Sequence, residues 1–143
     1  MNHWLALLML STATASGVPE IYGDWVVTAP LASAPDTPLS GSEIESIVGT
    51  SVSYQAKSVA FGREQCERPL FDSYTQTNDN LHALFQIYFD DLKIPGEETL
   101  AIDINCMEPD VDFIAGNTVL LAGRDRLVAV VDGVWFELQR RKP

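Results

Sequence analysis

The stretch Leu127-Val-Ala-Val-Val-Asp-Gly-Val-Trp-Phe-Glu-Leu138 decides the fold, because two apolar runs flank the dipeptide Asp132-Gly133. An Asp-Gly pair between such runs is typical of a type I′ β-hairpin, whose two turn residues both need positive φ. A two-residue turn here predicts three cross-strand pairs. They are Val131 with Val134, Val130 with Trp135, and Ala129 with Phe136.

Side chains alternate across a strand, so the hairpin has a core face and an outer face. The outer face carries Arg126, Val128, Val130, Trp135, Glu137 and Gln139, and its apolar patch is Trp135 beside Val130. This apolar pair is either a partner site or a surface covered by a loop or helix, and we favour the covered interpretation. The predicted core face consists of Leu127, Ala129, Val131, Val134, Phe136 and Leu138.

Two helical segments are predicted upstream of the hairpin. Ser40-Gly41-Ser42-Glu43 has the pattern of a capping box, and Gly49 can end the helix that follows. Residues 81–92 fit both helical spacing and strand alternation. We favour a helix there, capped by Asp79 or Asn80, because the capped run is long.

Apolar, β-branched and alternating runs predict most of the remaining elements as strands. The segment 29–38 contains three prolines, which predicts a loop, and 62–65 predicts another. The fold class is mainly β (α+β), with six to eight short antiparallel strands as a small barrel or strongly curved sheet and one or two short helices. Before the hairpin, the predicted strands are 21–28, 50–54, 58–61, 74–77, 99–106 and 119–122.

The N-terminus has the features of a signal peptide, with an apolar run at 4–10 and small residues at Ala13-Thr14-Ala15. No Lys or Arg precedes the run, so a core strand or an interfacial anchor is the alternative. We predict a signal peptide over residues 1–15 and a single β-rich domain over 16–143. The predicted location is periplasmic or extracellular, and no later segment is long enough to span a membrane.

The only two cysteines are Cys66 and Cys106, and an oxidising compartment would join them in a disulfide. Two widely spaced cysteines and a lone His82 do not match zinc-ligand patterns, so no metal is predicted. No nucleophile elbow or phosphate-binding glycine loop is present, and no cofactor or catalytic residue is predicted. An acidic calcium loop at 108–112 and a carboxylate enzyme remain weaker alternatives.

The chain carries 20 acidic and nine Lys or Arg residues, a net charge of −11. This charge disfavours nucleic acid and anionic lipid as ligands, because both need a basic surface. The charge is compatible with a basic protein partner, although we favour the interpretation that it only keeps an exported protein soluble.

Gly23-Asp24-Trp25, on a first strand soon after the leader, resembles the Gly-x-Trp motif of calycins, the lipocalin-like small barrels. The resemblance implies a barrel whose bottom the Trp closes. It also implies that an Arg of the last strand, Arg140 or Arg141, packs over that Trp.

Three functions follow from these patterns. The first is an exported, non-enzymatic binding or inhibitor module for a protein partner, a basic one in the electrostatic version. The second is a lipocalin-like carrier of a small apolar ligand, and the third is the carboxylate enzyme. The predicted partner contacts are Glu64, Glu67, Glu108, Asp110, Asp112 and Trp135. The predicted lining of the carrier cavity is Tyr54, Phe61, Phe85, Ile102 and Phe136.

Overall fold

The computed structural model describes residues 18–142, so the predicted signal peptide lies outside the described residues. The described chain forms one antiparallel sheet that curls into a nearly closed barrel. The mainly β fold class is confirmed, with nine strands rather than six to eight. The strands are β1 (Gly23–Ser33), β2 (Ser51–Tyr54), β3 (Val59–Phe61), β4 (Glu64–Cys66), β5 (Pro69–Thr77), β6 (Glu98–Cys106), β7 (Thr118–Gly123), β8 (Arg126–Val131) and β9 (Val134–Arg140).

Four short helical segments accompany the sheet within residues 18–142. Two are α-helices, α1 (Gly41–Ile47) and α2 (Asn78–Phe85). Two are 3-10 turns, η1 (Pro19–Ile21) and η2 (Phe89–Leu92).

The order of strands across the sheet is β4-β3-β2-β1-β9-β8-β7-β6-β5. The first and last strands of the chain are therefore neighbours. The two ends of the sheet, β4 and β5, are consecutive in the chain and separated only by Glu67 and Arg68. Because so short a connection cannot cross the sheet, it brings the two ends together and curls the sheet.

A disulfide closes this seam between β4 and β5. Cys66 ends β4, Cys106 ends β6, and their Cα atoms lie 5.7 Å apart in the bridge. The predicted pairing of the cysteines is confirmed. Beside it, the N–H of Met107 donates to the carbonyl of Arg68 over 2.8 Å, which continues the β5–β6 ladder past the bridge.

The C-terminal hairpin has the predicted turn and register. Asp132 and Gly133 have φ values of 48° and 83°, both positive as a type I′ turn requires. All six predicted core residues are buried. The three observed pairs nearest the turn are Val131 with Val134, Val130 with Trp135 and Ala129 with Phe136.

The sheet carries two apolar layers. The inner layer lies inside the barrel and includes the fully buried Trp25, Tyr54 and Phe136. The outer layer lies between the α2–η2 segment and the outside of β6–β9, and Trp135 is only 2% exposed within it. The covered interpretation of Trp135 is therefore confirmed.

The helix predictions are correct for α1 and partly correct for residues 81–92. In α1 the N–H of Glu43 donates to Ser40 Oγ over 3.2 Å, and the N–H of Ser40 donates to the Glu43 carboxylate over 2.9 Å. α2 begins earlier than predicted, with Thr77 as its cap. It ends at Gln86, which has a φ of 60°, and the chain continues through η2 instead of extending the helix.

Two loop predictions are wrong because pairing between distant segments overrides local sequence. The first half of the 29–38 segment belongs to β1, which pairs with β9 as far as Ser33 through two register shifts. Such bulges accommodate Pro30 in a strand. The predicted 62–65 loop contains the start of β4, and β5 begins at Pro69 rather than at residue 74. β5 is longer because it pairs with β6 along its whole length.

Trp25 is held by a clamp of the kind that the calycin resemblance implies. Its indole N–H donates to the carbonyl of Ile21 in η1 over 2.9 Å. The Arg140 guanidinium lies 4.2 Å from the centre of its ring and donates to the carbonyl of Tyr22 over 2.8 Å. A Cβ at position 23 would lie 2.7 Å from Arg140 Nη1, so glycine is needed there.

Arg140 therefore takes the predicted role, and Arg141 provides a control because, within the described residues, its guanidinium donates only to the exposed Ser51 hydroxyl. We expect Arg140→Met to lower the free energy of unfolding by about 1–3 kcal/mol, since it removes the cation–π contact and leaves backbone carbonyls unpaired. Urea denaturation of Arg140→Met and Arg141→Met measures the difference. Equal losses in the two variants would contradict the clamp.

The disulfide closes a loop with a sequence separation of 40 residues. The loop-closure model gives a stabilisation of about 4 kcal/mol for a loop of that length. We expect the Cys66→Ala/Cys106→Ala variant to lose stability up to that amount in urea denaturation. The reduced native chain is the matched control and should lose a similar amount.

Candidate functional site

Two of the predicted partner contacts hold a loop over the barrel. The Glu64 carboxylate accepts from the N–H groups of Ile114 and Ala115 at 2.9 and 3.1 Å. The Glu108 carboxylate accepts from the N–H of Glu67. Both glutamates therefore organise the segment between β6 and β7, and the structure brings them together at the seam.

The other predicted acidic contacts, Glu67, Asp110 and Asp112, have exposed side chains in the same region. Cys66, Cys106 and Glu108 have their potential ligand atoms within 4.8 Å of one another. The two sulfurs are bonded to each other, which removes the thiolates that a metal would need. The seam is therefore a structural junction with an acidic outer surface.

The predicted cavity residues fall into two places. Tyr54, Phe61, Ile102 and Phe136 are all buried in the inner layer. The Tyr54 hydroxyl donates to the carbonyl of Gly116 over 3.0 Å, and burial raises the pKa of this phenol. Phe85 instead lies on α2, outside the barrel, so its prediction as a neighbour of the other four is wrong. Phe85 fits both the helical and the strand spacing of the 81–92 segment, and the structure places it at the end of α2 with 45% of its surface exposed.

Phe85 takes part in a different cavity, which we call the Phe85 groove. A pocket of about 180 Å³ lies beside its ring, which meets Trp135 edge to face with centroids 5.5 Å apart. A wider cleft of about 420 Å³ adjoins it through the shared residues Ala34 and Phe85. The groove is lined by Ala34, Pro35, Asp36, Leu84, Phe85, Gln86, Thr118, Val130, Gly133 and Trp135.

Backbone hydrogen bonds position the small residues in the wall of the groove. The N–H of Ala34 donates to the carbonyl of Gly133 over 2.8 Å, and the Thr37 hydroxyl donates to the carbonyl of Asp132 over 2.6 Å. A Cβ at Gly133 would lie 3.3 Å from the Cβ of Ala34. The segment after β1 is thus tied to the hairpin turn, and the space between them and α2 remains open.

The surface around the groove combines exposed apolar side chains with acidic ones. Leu84, Phe85 and Tyr88 are 69%, 45% and 46% exposed. The segment 78–98 carries five acidic residues and one lysine, a net charge of −4, and Asp36 lies in the groove itself. The exposed acidic residues of the segment are Asp79, Asp90, Asp91, Glu97 and Glu98. Sequence reasoning identified neither this surface nor the groove, because the groove combines separate parts of the chain, residues 34–36, 84–86 and 118–135.

No family model, curated protein or solved structure matches this chain. Within residues 18–142, the helices are all too short or too polar to cross a membrane.

Arg126 fixes the acidic segment to the sheet. Its guanidinium pairs with Glu137 and donates to the carbonyls of Lys93 and Leu92 at 3.0 and 2.9 Å. Burial raises the pKa of Glu137, but hydrogen bonds from Thr28 and Arg126 outweigh it and hold this pKa below its usual value. Glu137 therefore stays ionised, and η2 is held as a fixed part of the surface.

A polar cluster on β5–β7 meets the groove at Thr118. The hydroxyls of Tyr74 and Thr118 both donate to Asp103 Oδ1, at 3.2 and 3.1 Å. Burial, followed by the charge of Asp103, raises the pKa of Tyr74 to about 12. The folded state therefore favours the neutral phenol.

This raised pKa gives a testable alkaline effect. Because the unfolded phenol titrates near 10.0 and the folded one near 12, the Tyr74 contribution to stability is complete below pH 10.0 and is lost as the pH rises through about 12. We expect Tyr74→Phe to weaken the loss of stability over this interval, as measured by urea denaturation at a series of pH values. Asp103→Asn should lower the phenol pKa in an absorbance titration, and an unchanged titration would contradict the assignment.

Proposed function

We propose that this chain is an exported, non-enzymatic binding module that recognises a basic protein partner through the Phe85 groove and its acidic surroundings. The observation that carries the proposal is the exposure of Leu84 and Phe85 in the wall of a groove that includes a partly enclosed apolar pocket. Large apolar side chains exposed together on a monomer mark interaction surfaces.

The groove has the anatomy of a small protein–protein interface. Such interfaces place an apolar anchor in a central pocket and surround it with polar and charged groups. The pocket beside Phe85 has walls of Trp135, Val130 and Ala34, and Thr118 supplies a polar group at its margin. One apolar side chain of a partner, inserted there, would contact aromatic rings on two sides.

Charge supports a basic partner. The net charge of −11 attracts cations over long distances, and the acidic residues near α2 add a local attraction. Asp36 lies in the wider cleft, where it can pair with a Lys or Arg next to the inserted apolar residue. Salt screens such pairs, with a Debye length of about 8 Å at physiological ionic strength.

The calycin architecture is part of the proposal. The Gly23-x-Trp25 motif, the η1 turn before it and Arg140 above the Trp25 ring support this family. The pairing of β1 with β9 brings these parts together. The disulfide and the oxidising compartment that such bonds need support a periplasmic or extracellular location.

The carrier function is the second candidate, and the exposure of β5 favours it. Ser73 pairs with Ile102 and Thr75 with Leu100, so these two polar side chains share the inner face of the sheet. Both are nevertheless exposed, so the inner face meets solvent at β5. A carrier would bind an apolar fluorescent probe inside the barrel, with energy transfer from Trp25 that Leu84 and Phe85 substitutions leave unchanged.

The binding proposal is tested with a cationic amphipathic peptide of alternating lysine and leucine, and with a peptide in which glutamate replaces lysine. We expect the cationic peptide alone to bind in calorimetry and its affinity to fall as salt increases. Leu84→Ser/Phe85→Ser and Asp36→Asn should each weaken binding, because they remove the apolar anchor site or its charge. We expect a loss of about tenfold for the apolar double variant, which corresponds to about 1.4 kcal/mol.

The matched control is Val48→Ser, which changes an exposed apolar residue elsewhere on the surface. It should leave the affinity unchanged. Equal weakening by Val48→Ser, or binding of the acidic peptide with similar affinity, would overturn the proposal.

A further inference from the structure

β5 is an outer strand of the sheet with one unpaired edge. In the described chain it pairs with β6 along nine residues, Pro69–Thr77, and the sheet order places it at an end. The opposite end, β4, has only three residues. Although the β4–β5 connection brings the two ends of the sheet together, β5 pairs only with β6.

The ladder with β6 shows which backbone N–H and C=O groups of β5 do not bond to β6. The N–H of Met107 donates to Arg68 and the N–H of Asn78 donates to Glu97, so hydrogen-bonded pairs lie at even positions of this strand. Bonded positions recur every two residues in an antiparallel ladder. The N–H and C=O groups of Phe71, Ser73 and Thr75 therefore point away from β6, toward the edge.

This edge carries few of the features that block strand pairing. Ser73, Tyr74 and Thr75 are all exposed, so both faces of the strand meet solvent in its middle. Residues 70–77 contain no lysine or proline, and their pairing with β6 runs without a bulge. Natural proteins protect outer strands with lysines, prolines and bulges, and an edge without them is a template for pairing with another chain.

We propose that β5 pairs with β5 of a second copy of this chain, antiparallel across a two-fold axis at Ser73. In this register Ser73 lies opposite Ser73 of the partner subunit, and Phe71 lies opposite Thr75 of the partner subunit. The outward-pointing N–H and C=O groups of Phe71, Ser73 and Thr75 then form three hydrogen-bonded residue pairs across the two-fold axis. The two barrels would share one continuous sheet.

The charge pattern of the strand favours a second copy in this register. Asp72 is the only charged residue of β5, and it lies opposite Tyr74 of the partner subunit. A register centred on Asp72 would instead place two carboxylates opposite each other, which destabilises a pair. A closed two-fold interface needs this self-complementarity.

The net charge of −11 makes the salt dependence diagnostic. Two such chains repel at long range, and salt screens the repulsion. The dimer should therefore strengthen as salt increases, whereas binding of a basic partner at the Phe85 groove should weaken. The dimer proposal does not depend on the proposed function. Because the two salt dependences are opposite, a salt series distinguishes a failure of dimerisation from a failure of partner binding.

Cysteine cross-linking tests the register in the full chain. Hydrogen-bonded antiparallel pairs have Cα atoms about 5.5 Å apart, within the range of a disulfide. We expect Ser73→Cys to form a covalent dimer under mild oxidation. Thr75→Cys is the matched control. Its sulfur would lie opposite Phe71 of the partner subunit, so this variant should form no covalent dimer.

Analytical ultracentrifugation provides a readout that needs no cysteine. The native chain should shift from monomer to dimer mass as salt increases, and Ser73→Lys should remain a monomer because two lysines would meet at the axis. Leu84→Ser/Phe85→Ser should dimerise as the native chain does. A native chain that is monomeric at every salt concentration would overturn the proposal, as would equal cross-linking of Ser73→Cys and Thr75→Cys or loss of the dimer in the groove variant.

Discussion

The junction at Cys66 and Cys106 is the constraint on which the rest of the barrel depends. The sheet has two ends, β4 and β5, and only two residues separate them in the chain. The disulfide fixes the end of β4 against the end of β6. Hydrogen bonds to Glu64 and Glu108 hold the loop between β6 and β7 against β4 and the β4–β5 connection. Because the core lies inside the curled sheet, opening this seam would expose the inner apolar layer to water.

Around Trp25, hydrogen bonds and the Arg140 guanidinium complete an otherwise apolar core. Trp25 brings a large ring and an indole N–H, and η1 supplies the carbonyl that the N–H needs. Arg140 covers the ring and satisfies the carbonyl of Tyr22. This arrangement connects the beginning of the chain to its end, since β1 pairs with β9.

The α2–η2 segment both stabilises the outer layer and carries exposed side chains of the Phe85 groove. α2 and η2 bury Trp135 and Leu81 against the outside of the sheet, and Arg126 holds η2 in place. A short helix cannot direct every apolar side chain inward, so Leu84 and Phe85 remain exposed next to the pocket. Acidic residues serve two purposes in this protein, since Glu64 and Glu108 pair with backbone N–H groups while those near α2 face solvent.

The sequence by itself determined the features that depend on neighbours in the chain. These are the Asp132-Gly133 turn with its register, the Ser40 capping box and the inward face of the last two strands. The pairing of Cys66 with Cys106 was predictable for a different reason, since the sequence holds no other cysteine. The sequence did not predict the length of β5, the continuation of β1 past Pro30 or the Phe85 groove. Each of these depends on partners far away in the chain, and local propensity carries no information about them.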